Sequence, residues 1–238
     1  MSELDGIAII GVHGRFPGAD SAEALWQNLA AGRDTISFFT DEELSEAGLD
    51  VPSLKASGNY VPARGVLRDA ECFDRDFFGI HLREAEVMDP QHRVFLEGCW
   101  EALERCGYAP GRIRVPVGIY CGATFNTYFM HALNNRPELT ELVGSDQVMF
   151  GNEKDYIATR AAYKLNLSGP AISLNTACST SLTAVCQACQ SLLTYQCDMA
   201  IAGGVSVTVP QKRGYHFQEG DIRSSDGHTR SFDVDASG

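Results

Sequence analysis

The run AISLNTACSTSLTAVCQACQSLL, Ala171 to Leu193, decides how this chain reads. Its opening, AISLN, has the short apolar pattern of a buried strand, and LTAVCQACQSLL has the pattern of a helix. Between them lies NTACSTSL, Asn175 to Leu182, in which small and hydroxyl residues surround Cys178. A thiol at such a junction is exposed on a rigid support, with the amides of the following helix pointing towards it. Those amides and the helix dipole favour the thiolate, the nucleophilic form. They can also hold the oxyanion of an acyl-transfer intermediate, and Ala177 and Ser179 leave room for a carbonyl to approach. The logic is that of the strand-turn-helix elbow that presents nucleophilic serines. A buried structural cysteine, with Thr176, Ser179 and Thr180 as helix caps, fits the same residues, so the local pattern leaves both readings open.

Working outward, strands and helices alternate. IAIIG (Ile7–Gly11), VPVGIYCG (Val115–Gly122) and MAIAGGVSV (Met199–Val207) are expected strands. SAEALWQNLAA is an expected helix with Asp20 as cap, Glu23 at the reciprocal position and Gly32 as stop. Asp89 and Pro90 open a further helix, QHRVFLEGCWEALERC, ending at Gly107. Its Phe95, Cys99, Trp100 and Leu103 share one face at helical spacing and read as core. DYIATRAAYKL (Asp155–Leu165) is helical, and the segment from Asn126 to Gly151 is a lid, an interface or a pocket wall. Residues 34 to 68 form a polar excursion from the main sheet, and the chain closes on the loop-rich run QEGDIRSSDGHTRSFDVDASG. Strands joined through helices imply a mostly parallel sheet covered on both faces, an α/β fold.

The bulk numbers exclude several function classes. In 238 residues the formal net charge is -12, against the basic face that nucleic-acid binding requires. No window approaches the roughly 18 to 20 apolar residues of a membrane span, and the leader MSELDG lacks the features of a signal peptide. A cytoplasmic protein is expected. Apart from Cys178, the remaining seven of eight cysteines read mostly as reduced core thiols, and Cys186-x-x-Cys189 is a weak redox signal. His13, His81, His92, His131, His216 and His228 each lack a supporting local pattern, and no Cys/His cluster has metal-ligand spacing, so no metal is expected.

Several separate stretches carry a family resemblance. They are IAIIGVHGRFPGA, FFGI, MDPQHRVFLEGCWEALE, VGIYCG, DYIATRAAYKLNLSGP, NTACSTSL, CDMAIAGGVSV and SSDGHTRSFDVDASG, in that order along the chain. With them the chain resembles the N-terminal half of a β-ketoacyl synthase, in particular the ketosynthase domain of a modular type I polyketide synthase. The resemblance implies a thiolase-like layered fold, with residues 1–238 as the first of two similar halves of a usually dimeric enzyme. It assigns Cys178 as the acyl-accepting nucleophile, with backbone support from Cys178 and Ala177 at the oxyanion. Val148, Met149 and Phe150 are implied to line the acyl pocket.

The implied chemistry is decarboxylative Claisen condensation in polyketide or fatty acid biosynthesis. An acyl group passes from a phosphopantetheine thioester, presented by an acyl carrier protein, to the thiol. A malonyl-type carbanion then attacks it, and no cofactor is bound directly. Two positions depart from the family pattern: Asn175 stands where aspartate is usual, and Cys186 near a frequent histidine. The two family histidines, in a His-Gly-Thr-Gly-Thr motif and an Asn-x-x-Gly-His-like context, belong to the second half. The chain alone is therefore expected not to condense. The alternatives are a noncatalytic assembly fragment that pairs with a separate second half, or a ketosynthase that takes up acyl groups without extending them. A hydrolase using Cys178 with His216 or His228 is a distant runner-up.

Overall fold

The computed structural model describes residues 6–238, so the leader Met1–Asp5 lies outside the described residues. In chain order the elements are α1 (Ala22–Ala30), β1 (Ser37–Phe38), α2 (Asp41–Glu46), α3 (Val51–Ala56), β2 (Tyr60–Val61), β3 (Ala63–Arg64), α4 (Leu82–Val87) and α5 (Pro90–Arg105). There follow β4 (Val117–Ala123), α6 (Pro137–Val143), α7 (Ser145–Asn152), α8 (Ile157–Lys164), β5 (Ala171–Ser173), α9 (Thr180–Leu193), β6 (Met199–Val205) and β7 (Tyr215–His216). They divide into two compact units, one running to His13 and resuming over Ala70–Thr208, the other made of Gly14–Asp69 and Val209–Gly238.

The first unit is built on a parallel sheet of order β5-β4-β6. Every residue of β4 is buried, because helices cover both faces. On one face Ile119, Cys121 and Ala123 meet Phe95, Leu96, Cys99 and Leu103 of α5 and Ile157, Ala158, Ala161 and Ala162 of α8. On the other, Tyr120 packs with Ala184 and Ala188 of α9. The parallel, two-sided sheet expected from the sequence is present. Helix α5 begins as its residues dictate: Asp89 Oδ1 accepts from the Gln91 amide at 2.9 Å, and Pro90 is the first helical residue. Gly107 follows its end at φ +80°, the left-handed geometry that glycine adopts without strain.

The irregular stretch from Asn126 to Gly151 supplies α6 and α7, and Leu133, Leu139 and Val148 close over Val87 in a second small core. In the second unit Phe39, Leu44 and Val51 form a separate core. There the Gln211 side chain bonds both the amide and the carbonyl of Leu67, at 2.8 Å each, tying the late loop to the early one.

Three expectations are corrected. IAIIG forms no strand: among the described residues, residues 7–11 pair with none of β5, β4 and β6 and enter no ladder. Ile9 and Ile10 stand exposed. The cap of α1 is Ser21, whose Oγ accepts from the Ala24 amide at 3.1 Å, while Asp20 one residue earlier pairs with Arg68. Of the other cysteines only Cys99, Cys121 and Cys197 are buried; Cys72 and Cys186 are exposed, and all eight are free thiols.

Candidate active site

Cys178 lies where the sequence puts it. Strand β5 ends at Ser173, a single 3-10 turn covers Ala177–Ser179, and α9 starts at Thr180. The side chain is exposed, so the buried-cysteine reading does not describe it. Parallel strands leave their carboxyl ends and the following loops free to carry chemistry, and Cys178 sits on such a loop.

The loop is held by hydroxyls bonding within it. The Thr176 amide donates to Thr180 Oγ1 at 2.8 Å, and Ser179 Oγ donates to the Thr176 carbonyl at 2.8 Å. Thr183 Oγ1 lies 2.9 Å from Thr176 Oγ1 and donates to the Ser179 carbonyl at 3.0 Å. The threonines and serine therefore brace the turn that bears Cys178 instead of capping α9, whose first residues receive no side-chain cap. Thr183, one helical turn further on, joins this brace without any signal in the linear pattern beyond its hydroxyl.

Two backbone features matter for chemistry. Ala177 has φ +54°, the left-handed region that a side chain with a Cβ enters only at some cost. Among the described residues, the N–H groups of Ala177 and Cys178 donate to no other group of the chain. N–H donors free of other partners on the loop of an exposed thiol can receive a developing oxyanion.

The other candidates lie apart in role. Val148 is buried in the core with Val87, Leu133 and Leu139, whereas Met149 is exposed and Phe150 meets the Tyr156 ring edge-on at 4.9 Å. An open cavity of about 350 Å³ in the first unit is lined by residues such as Glu71, Asp74, Glu86 and Arg93, and by neither Cys178 nor residues 148–150.

His216 and His228 have partners within the second unit. His216 Nδ1 lies 3.1 Å from Asn59 Oδ1, and His228 Nδ1 lies 2.6 Å from Asp34 Oδ2. That bond, after the stronger one from the Ile36 amide, holds the Asp34 carboxyl below the usual carboxylate range. His92 is buried in the first unit, and loss of water, reinforced by the Arg160 charge, lowers its pKa to about 3. Among the described residues no group of three or more His, Cys, Asp or Glu side chains is placed to hold a metal ion, and no helix is long and apolar enough to cross a membrane.

With this geometry in view, the relatives are informative. A family model, the β-ketoacyl synthase N-terminal domain, matches residues 4–238, and the chain belongs to that family. It is 42% identical over 238 residues to a phenolphthiocerol/phthiocerol polyketide synthase of Mycobacterium tuberculosis, covering 98% of this chain and 16% of that protein. It is 35% identical to polyketide synthase PksL of Bacillus subtilis, covering 98% and 5%. Among solved structures, ketosynthase twelve of the bacillaene polyketide synthase of Bacillus amyloliquefaciens superposes with a TM-score of 0.85 at 34% identity, over 97% of this chain and 40% of that one. The module 1 ketosynthase of the bacillaene synthase of that organism gives 0.76 at 32% identity, over 97% and 39%. The fold is thus the N-terminal half of a thiolase-like ketosynthase, and the family is one of condensing acyltransferases. The chain spans less than a sixth of these curated relatives and about two fifths of the ketosynthase chains.

Proposed function

We propose that this chain carries the acyl-accepting centre of a polyketide ketosynthase, with Cys178 as nucleophile. The observation that carries the reading is an exposed thiol at the β5-to-α9 turn, beside the uncommitted N–H groups of Ala177 and Cys178, in a chain of the β-ketoacyl synthase family. In the first step the thiolate Sγ attacks the carbonyl of an acyl phosphopantetheine thioester on an acyl carrier protein. The two N–H groups receive the oxyanion, the carbon–sulfur bond to the carrier breaks, and the phosphopantetheine thiol leaves with a proton. A malonyl-type thioester then loses carbon dioxide, and its carbanion attacks the Cys178 thioester carbonyl; the bond from that carbonyl to Sγ breaks, Cys178 leaves as the thiolate, and a β-ketoacyl product two carbons longer stays on the carrier. Imidazoles of the second half of a ketosynthase assist that condensation, so acyl uptake is the step assigned to this chain's own residues. No cofactor is held directly, and a dimer is the expected assembly of the whole enzyme.

Intact-mass measurement after incubation with an acyl-pantetheine thioester tests the reading. The wild-type chain is expected to gain one acyl group, and Cys178→Ala none. No adduct on the wild type, or an equal adduct on the variant, overturns it.

One surface feature supports a second reading, assembly with a separately supplied second half. Leu182, Val185 and Leu193 of α9 and Ile172 of β5 are exposed apolar side chains on the unit that bears Cys178. Co-purification with such a half, and light scattering, would test it; a stable monomer that binds no second half counts against it.

A further inference from the structure

The loop bearing Cys178 rests on a glycine. Gly122 lies near the carboxyl end of β4, opposite Gly204 of β6 in the parallel register. Its φ lies outside the left-handed region, so its lack of a side chain is a matter of space and not of backbone freedom. A Cβ built there would stand 2.0 Å from the Leu174 carbonyl oxygen, 2.4 Å from Thr180 Cγ2 and 3.3 Å from Asn175 Oδ1. All three atoms belong to the segment that enters and leaves the nucleophile turn. At Gly204 the nearest atom to such a Cβ is Ser181 Cβ at 3.4 Å, an ordinary contact. Two facing glycines therefore differ: one position has room for a methyl group and the other has none.

Thr180 links this seat to the nucleophile. Its methyl is the side-chain atom that meets Gly122, and its hydroxyl accepts from the Thr176 amide at 2.8 Å. Thr176 and Thr180 lie two residues to either side of Cys178. A side chain at position 122 would displace the Leu174 carbonyl and Thr180 together, and with them both ends of the turn. Asn175, the residue that departs from the family's usual aspartate, also directs its amide oxygen to this seat.

We propose that Gly122 is a positioning residue for Cys178: its bare Cα lets the Leu174–Thr180 segment seat directly on β4, and the Thr180 hydroxyl locks that seat to the Thr176 amide. The inference rests on the reading of Cys178 as the acyl acceptor. Displacing a nucleophile by about 1 Å from its donors costs as much as a hundredfold in rate. The signal in sequence is a glycine inside an otherwise fully buried strand, which marks a close backbone approach.

The experiment compares Gly122→Ala, Gly204→Ala and Thr180→Val, the last keeping the shape of Thr180 while removing its hydroxyl. Acylation of Cys178 by an acyl-pantetheine thioester is followed by intact mass, and iodoacetamide alkylation of Cys178 and of exposed Cys186 is followed by peptide mass. Gly122→Ala and Thr180→Val are expected to slow Cys178 acylation about 10- to 100-fold with Cys186 alkylation unchanged, and Gly204→Ala to stay within about twofold of wild type. A Gly122→Ala rate within twofold of wild type overturns the inference, as does equal slowing at both cysteines or equal slowing in Gly204→Ala. Should Gly122→Ala not fold, Thr180→Val decides, and a rate within twofold of wild type overturns it. Absence of acylation in the wild type sinks the reading of Cys178 instead; the ratio of Cys178 to Cys186 alkylation in the variants then judges Gly122 by itself.

Discussion

Acidification should destabilise this chain through His92 more than through any surface group. The imidazole is 2% exposed on α5, and among the described residues neither buried ring nitrogen has a well-formed hydrogen bond. Burial lowers its pKa from 6.5 to about 3, and the positive charge of Arg160 on α8 adds to the shift. Approach to the Glu153 backbone offsets this in part, short of a well-formed hydrogen bond. An imidazole freed by unfolding titrates near 6.5, so below that pH the unfolded chain binds a proton that the folded chain refuses. Stability fully present above pH 6.5 is therefore lost as pH falls towards 3. Linkage makes the loss about 2 kcal/mol between pH 7.5 and 5.0, growing by about 1 kcal/mol per further pH unit.

Buried Asp89 acts with the opposite sign. Loss of water raises its pKa despite the bonds from Gln91, so the folded state gains from its protonation. A comparison with a variant isolates His92. Replacing nitrogens that make no well-formed hydrogen bond by apolar atoms in His92→Leu should be close to neutral at pH 7.5. Urea unfolding of both proteins at pH 7.5 and 5.0 should then show the wild type losing about 2 kcal/mol more than the variant. Equal losses in the two proteins would refute the reasoning, since the pH dependence would then come from other groups.

Other expectations follow from single contacts. Arg160 and Glu84 form a largely buried pair at 2.5 Å, so Glu84→Ala should cost about 2–3 kcal/mol in urea unfolding. Lys55→Ala, which breaks an exposed pair with Asp41, should cost under about 1 kcal/mol. At Ala177, φ +54° makes a β-branched side chain costly: Ala177→Val should lose about 2 kcal/mol, and Ala177→Gly should stay within about 1 kcal/mol of wild type. Similar losses for the two Ala177 variants would contradict the left-handed geometry.

What could be read from the sequence was local. The start of α5 was legible because a cap is a contact between neighbours, Asp89 with the Gln91 amide. The cap of α1 was misplaced by one residue because Asp20 and Ser21 are both good acceptors, and a distant partner, Arg68, takes the first. Nothing in the linear pattern separates them. Similarly, the apolar run of IAIIG has the composition of a strand, but a strand is a pairing, and among the described residues this run has no pairing partner.

At the site, the order of residues suffices to stand Cys178 at a strand-to-helix turn among small and hydroxyl neighbours, because composition and periodicity act over a few residues. Folding in three dimensions settles the rest: which donors around that thiol stay uncommitted, that Thr176, Ser179, Thr180 and Thr183 brace the turn, and that Gly122 lies beneath it. Gly122 and Thr180 are 58 positions apart in the chain. They meet because β4 and β5 are parallel neighbours, and the crossover between two such strands is long enough to hide the contact from any local pattern.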